Sequence, residues 1–101
     1  MSKRFSWSER KNRVLKEKRG ISFERIVEEI PGALLDVREN PSGKHPNQRI
    51  FILNIENYPW VVPFEETAEA IFLITAFPDR RLKREFDLES QIDKRRKENF
   101  E

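Results

Sequence analysis

Two groups of basic side chains flank the most apolar part of this chain. Lys44 and Arg49 lead into an apolar run over residues 49–55. The second group follows Pro78-Asp79 and consists of Arg80, Arg81, Lys83 and Arg84. Guanidinium and ammonium groups gathered around the ends of a small sheet suit a phosphate-bearing partner. The same pattern is equally compatible with a solvated helix whose basic residues face water.

Candidates for proton transfer are few. The only histidine, His45, lies beside Lys44 in residues 40–47, a segment of prolines and small polar residues that predicts a loop. Imidazole titrates near neutral pH, so His45 is a candidate acid or base, although a lone exposed histidine is more often incidental. One carboxylate in residues 65–69 is a further candidate base, but spacing singles out none. With no cysteine and no second histidine, we predict no metal site and no other cofactor.

Composition predicts a small, highly charged domain. The chain has 101 residues, with 37% hydrophobic and 38% charged residues, which indicates one α+β domain with a thin core. The absence of cysteine fits a reducing compartment, and we expect a cytoplasmic protein. The apolar stretch over residues 70–77 is too short to span a bilayer, and the first residues lack the apolar run of a signal peptide.

The charges are segregated along the chain. Residues 1–20 carry a net charge of +6, residues 21–79 a net charge of −6, and residues 80–101 a net charge of +2. Basic ends around an acidic middle hint at a face that binds a polyanion, whereas clusters of Lys and Arg on helices are more often solvated surface.

Two N-terminal helices are predicted from capping signals. The first runs over residues 9–19, with Ser8 as its N-cap and Gly20 as the residue that ends it in a left-handed conformation. The second begins after Ser22 and runs to about Ile30, with an apolar face at i, i+3, i+4 and i+7, and Pro31-Gly32 ends it. Residues 5–7 are interpreted as an aromatic anchor at the entry to the first helix.

The rest of the chain predicts strands and a basic helix. A short strand over residues 33–38 precedes an antiparallel meander over residues 49–55, 60–64 and 71–77. The strand 49–55 is apolar on both faces, so we expect helices to cover one face and terminal segments or a partner to cover the other. Asp79 can start a C-terminal helix that carries Leu82 and Phe86 on one side. We assign residues 1–86 to the domain and residues 87–101 to a charged tail or helix.

Several short blocks give the chain a family resemblance. They are Phe5-Ser6-Trp7-Ser8 with Lys11-Asn12, then Arg19-Gly20-Ile21-Ser22-Phe23-Glu24, then His45-Pro46-Asn47-Gln48-Arg49, and finally Ile74-Thr75-Ala76 before the basic helix. On these blocks, residues 5–86 resemble the BrnT-like toxins, small RelE-like ribonucleases of bacterial type II toxin–antitoxin systems. The resemblance implies a RelE-like fold with two N-terminal helices, an antiparallel β-meander of three to four strands and a basic C-terminal helix.

The resemblance also implies a function and a site. It implies an endoribonuclease toxin that acts without a metal and is neutralised by a DNA-binding antitoxin. Homo-oligomers can form through the complex with the antitoxin. A ribose 2′-hydroxyl would attack the adjacent phosphate, which requires a base, cationic donors and an acid. The implied catalytic residues are Arg49 for the phosphate, supported by Arg80, Arg81 or Arg84, with His45 or Lys44 as acid or base. Arg81 and Lys83 would bind RNA, and Tyr58 and Trp60 would stack on a base or pack in the core.

Phe77 departs from the family pattern, because the toxins usually carry a basic residue after the Ser/Thr-Ala pair. Two interpretations remain open. Either the active site has moved onto Arg80 and Arg84, or the chain is a non-catalytic RelE-like module that binds a protein partner or RNA.

Overall fold

The computed structural model of the chain describes residues 3–41, 44 and 47–88. It shows an α+β fold with a mixed sheet and three helices within these residues. In chain order the elements are β1 (Arg4–Trp7), α1 (Glu9–Arg19), α2 (Phe23–Ala33), β2 (Leu34–Glu39), β3 (Arg49–Ile55), β4 (Tyr58–Glu66), β5 (Ala70–Leu73), β6 (Phe77–Pro78) and α3 (Arg81–Glu85). No helix in the described part of the chain is long and apolar enough to cross a bilayer.

The sheet is mixed, whereas the sequence predicted an antiparallel meander. Its strands lie in the order β1-β5-β4-β3-β2, with β6 also paired to β4, and β1 is parallel to β5 while the other pairs are antiparallel. Residues 5–7 directly precede α1 and anchor its entry as interpreted, but they also form β1, a strand that the sequence did not predict. Phe5 and Trp7 lie two residues apart on the same face of β1 and contact the core. The Phe5 ring centroid is 6.4 Å from that of Phe51, and the Trp7 ring centroid is 5.7 Å from that of Phe23. Burial of these two rings holds β1 at the edge of the sheet.

The predicted strand over residues 71–77 is divided into two short strands. β5 pairs with β4 only as far as Leu73 opposite Phe64. The next residue of β4, Pro63, has no N–H to continue the ladder, although its carbonyl still accepts a bond of 2.9 Å from the Ile74 N–H. The chain then shifts, and β6 pairs with the beginning of β4 through Phe77 and Val61. Proline chemistry thus places Phe77 on a different strand from Leu73.

The two N-terminal helices begin where the sequence predicted. The Ser8 hydroxyl accepts a bond from the Lys11 N–H, and the Ser22 hydroxyl accepts one from the Arg25 N–H. α1 ends at Gly20, which has φ +69°. α2 runs beyond its predicted end, because a proline in the last turn has a helical φ and lacks only one N–H donor.

The sheet buries both faces, with a different cover on each. Side chains of α1 and α2 pack on one face with Phe51, Leu53 and Ile55 of β3, and we call this packing the helix-side core. The opposite face carries a second cluster around Ile50 and Ile52, which is packed by Leu35, Phe77, Leu82 and Phe86. The prediction that β3 is buried on both faces is confirmed. On the second face Leu82 and Phe86 of the α3 region provide the cover, and Leu35 and Phe77 pack beside them.

Packing continues past the predicted domain boundary at residue 86. Leu88 is only 2% exposed and belongs to the buried apolar residues of the described chain. The remainder of the predicted tail, residues 89–101, lies outside the described residues.

Candidate phosphate-binding site

Asp79 positions the basic α3 helix against the sheet. Its N–H donates a bond of 3.0 Å to the Pro59 carbonyl of β4, and its carboxylate accepts a bond of 3.1 Å from the Arg81 N–H. The Arg81 side chain closes on the same carboxylate through Nε at 3.0 Å and Nη2 at 2.9 Å. Bidentate pairs of this kind have a fixed geometry. The start of α3 is therefore tied to β4.

Four basic residues and one tyrosine surround an open cavity of about 580 Å³ beside α3. Its lining residues, which we call the cationic cluster, are Tyr58, Arg80, Arg81, Lys83 and Arg84. The Lys83 ammonium lies 4.5 Å from the centroid of the Tyr58 ring, a distance typical of a cation–π contact. The hairpin end of β4 thus faces the basic side chains of α3.

The charges of the cationic cluster are unequally compensated. Asp79 neutralises Arg81. The hydrogen bonds between the two side chains hold the pKa of the Asp79 carboxyl below its ordinary value and raise the pKa of the Arg81 guanidinium. Arg80 and Arg84, by contrast, are exposed and form no ion pair with any described residue. The cluster therefore presents positive charge to the solvent, an arrangement that can bind phosphate oxygens.

Arg49 lies far from this cluster, at the other end of the sheet. It pairs across the strands with Phe64, which is six positions along β4 from Tyr58. At about 3.3 Å per residue this separation is about 20 Å. One phosphate group cannot contact both ends, so the geometry does not bring Arg49 together with Arg80 or Arg84.

Carboxylate and aromatic contacts already occupy Arg49. Its guanidinium forms an ion pair with Glu66 and lies 5.3 Å from the Phe64 ring centroid. Glu66 also pairs with Lys3, whose ammonium is 2.5 Å away. Hydrogen bonds from both cations lower the pKa of the Glu66 carboxyl, and the bond from Lys3 has the larger effect. Arg49 thus belongs to a surface ion-pair network beside β1 and β4.

The other predicted residues are dispersed. Lys44 is exposed in the loop between β2 and β3. This loop lies at the same end of the sheet as Arg49, because Glu39 at the end of β2 pairs with Arg49 at the start of β3. His45 lies outside the described residues. Trp60 is half-buried and packs against the helix-side core, whereas Tyr58 joins the cationic cluster. Within the part of the chain that the structure describes, no three His, Cys, Asp or Glu residues are grouped as a metal site requires.

Sequence reasoning missed an apolar groove of about 730 Å³ on the face opposite α1 and α2. We call it the β6 groove, and its apolar residues are Ile50, Ile52, Val61, Pro63, Ile74, Phe77 and Leu82. Arg38 stands at its rim and is held there by ion pairs to Asp36, at 2.8 Å, and to Glu85. The apolar character of both faces of β3 was the available signal, but the pairing of β6 with β4 was needed to reveal the groove. Phe77, where the resemblance implied a cation, lines it.

Comparison of the chain with protein-family models, with curated proteins and with solved structures finds no match. The basis for a functional assignment is therefore the chemistry of the cationic cluster and of the β6 groove beside it.

Proposed function

We propose that this protein is the toxin of a type II toxin–antitoxin system, an endoribonuclease of BrnT-like, RelE-like type that binds an RNA phosphate at the cationic cluster. The observation that carries the proposal is the pair of exposed guanidinium groups, Arg80 and Arg84, that no described carboxylate neutralises. They stand beside Lys83 and Tyr58 around a cavity open to solvent. Arg80 and Arg84 can therefore donate to one phosphate without first breaking an ion pair with a described residue.

The proposed reaction is transesterification within the RNA strand. The 2′-oxygen of a ribose loses its proton to a base and forms a bond to the adjacent phosphorus. The bond from phosphorus to the 5′-oxygen breaks, and that oxygen takes a proton from an acid. Arg80 and Arg84 stabilise the negative charge that grows on the phosphorane oxygens. The Tyr58 phenol and the Lys83 ammonium are the proton-carrying groups of the cluster.

Neutralisation by an antitoxin fits the same surface. An acidic segment of a DNA-binding antitoxin would pair with Arg80 and Arg84 and exclude the RNA phosphate. The toxin would then be inactive in the complex and active when released.

Expression in a bacterial host tests this proposal. We expect the parent chain, expressed alone, to arrest growth and degrade cellular RNA, and the Arg80→Ala/Arg84→Ala variant to do neither. The matched control is Arg10→Ala/Arg13→Ala, which removes two exposed arginines of α1, on the other face of the sheet. Normal growth with intact RNA from folded parent protein would refute the toxin assignment. Full toxicity of the Arg80→Ala/Arg84→Ala variant would refute the site.

A second function, non-catalytic RNA binding, is favoured by one feature of the cationic cluster. Among the residues that the structure describes, its lining includes neither a carboxylate-bearing residue nor a histidine to act as base. RNA binding that weakens steeply with salt, without cleavage, would establish this second function. Each phosphate contact contributes about 0.7 to the slope of log affinity against log salt. Arg84→Ala should therefore flatten the slope, while Arg49→Ala should leave it unchanged.

A further inference from the structure

The β6 groove adjoins the cationic cluster. Arg81 lines both, because its side chain turns back onto Asp79 at the boundary between them. From there the groove extends along β4 towards the loop between β2 and β3, where Asn40, Pro41 and Gln48 line its far end. Asp79 lies level with Pro59 and Gln48 level with Glu65. The two levels are six positions apart along β4, which is about 20 Å.

The groove walls combine apolar surface with polar groups at the rim. Ile52 and Val61 lie buried beneath the groove, and the half-buried side chains of Ile74, Phe77 and Leu82 form its accessible apolar surface. Gln48 and Thr75 contribute neutral polar side chains to the lining. The lining also includes three carboxylates, of which Asp79 and Glu85 are paired with arginines and Glu39 is exposed at the far end. A cavity of about 730 Å³ has the size and the mixed lining of sites for small organic groups.

We propose that the β6 groove binds an unpaired nucleobase of the RNA strand whose phosphate is held by the cationic cluster. This inference rests on the proposed function and adds to its phosphate site a base-binding subsite formed by the β6 groove. A flat heterocycle would meet the half-buried side chains of Ile74, Phe77 and Leu82 with its faces, and its edge would meet the polar rim. A base within a duplex is stacked and paired and cannot enter such a groove, which selects single strands.

Binding of matched RNA chains tests the inference. One probe is a uridine hexamer, and the other is the same chain without bases, both with 2′-O-methyl riboses that block cleavage. The two probes carry the same phosphates, so the difference in affinity measures the bases alone. We expect the parent protein to bind the uridine hexamer about tenfold more tightly than the abasic chain, because stacking of one base on a protein surface contributes about this factor to affinity.

Two variants locate the preference for bases. Thr75→Trp fills the groove, and Phe77→Leu removes the ring while keeping an apolar side chain. Each should reduce the tenfold preference to less than about threefold and leave the affinity for the abasic chain unchanged. Val14→Trp is the control, because Val14 is 41% exposed on α1, away from the groove. Retention of the preference in either variant, once its circular dichroism shows the native fold, would overturn the inference.

The same titrations separate failure of this inference from failure of the proposed function. Equal affinity of the parent for both probes, lost in Arg80→Ala/Arg84→Ala, would leave the phosphate site intact and overturn the nucleobase site. An apolar segment of a protein partner would then be the alternative ligand of the groove. No affinity of the folded parent for either probe would overturn both.

Discussion

Asn12 connects the two N-terminal helices, and its replacement should destabilise the fold measurably. The side chain is 2% exposed, its Oδ1 accepts a bond of 2.8 Å from the Phe23 N–H, and its Nδ2 donates one of 2.8 Å to the Glu24 carboxylate. Phe23 is the first residue of α2, where no carbonyl of the helix can accept its N–H. Because the Phe23 side chain is fully buried, water is a poor substitute for that acceptor.

The magnitude follows from the lost acceptor. Asn12→Ala leaves the Phe23 N–H unpaired, which costs about 1–3 kcal/mol of unfolding free energy. Most of this cost comes from the buried Phe23 N–H, because the Glu24 carboxylate is exposed and regains water. With a urea dependence of about 1–3 kcal/mol per molar, typical of small domains, the unfolding midpoint should fall by about 1 M.

Urea unfolding followed by circular dichroism measures this change. Asn47→Ala is the control, since Asn47 is exposed in the loop before β3, and its free energy should change by less than about 0.5 kcal/mol. Asn12→Asp keeps the acceptor but sets a second carboxylate against Glu24, so it should be less stable at pH 7 than at pH 4 relative to the parent. If Asn12→Ala unfolds at the same urea concentration as the parent, the assignment of Asn12 as a buried link is incorrect.

Two further predictions concern backbone conformation and pH. Gly20→Ala should lower the unfolding free energy by about 1 kcal/mol, because an alanine at φ +69° is strained although nothing lies near its Cβ. Gly32→Ala in α2 should raise the unfolding free energy by about 0.5–1 kcal/mol, because the added Cβ also meets open space and the backbone φ is not positive there. Equal effects of the two substitutions in thermal unfolding would refute this contrast. The bond from Asn12 lowers the pKa of Glu24, so the stabilisation is present above pH 4.5 and is lost as the pH falls through the folded pKa. Glu24→Gln should therefore show a shallower loss of stability below pH 5 than the parent, and an unchanged acid titration would contradict this cause.

Local signals in the sequence were sufficient for both ends of α1 and for the beginning of α2, but not for the end of α2. Ser8, Gly20 and Ser22 mark these three positions, because capping involves atoms within a few residues of each other. The run from Arg49 to Ile55 was predicted with its observed bounds, since alternating branched side chains have a clear strand pattern. Asp79 was predicted to start α3, and its carboxylate does accept the Arg81 N–H.

The sheet edges could not be predicted from the same signals. β1 pairs with β5 across more than 60 residues of sequence, and no local pattern specifies a parallel partner. The turn between β3 and β4 occupies Glu56 and Asn57, both with positive φ, so Tyr58 already belongs to β4 rather than to the predicted connection. That shift places Tyr58 beside α3.

By itself, the sequence determined which side chains carry charge, where α1 and α2 begin, and that β3 is apolar on both faces. Only the tertiary structure decided which charges act together. Arg49 and Arg84 are equally basic in the sequence, yet β4 holds them at opposite ends of the sheet, and Glu66 neutralises Arg49 whereas no described carboxylate pairs with Arg84. The position of the β6 groove was also decided there, because Pro63 ends one ladder and Phe77 begins another. Charge and polarity are properties of single residues, but a binding site requires distances between residues that are far apart in the chain, and strand pairing sets those distances.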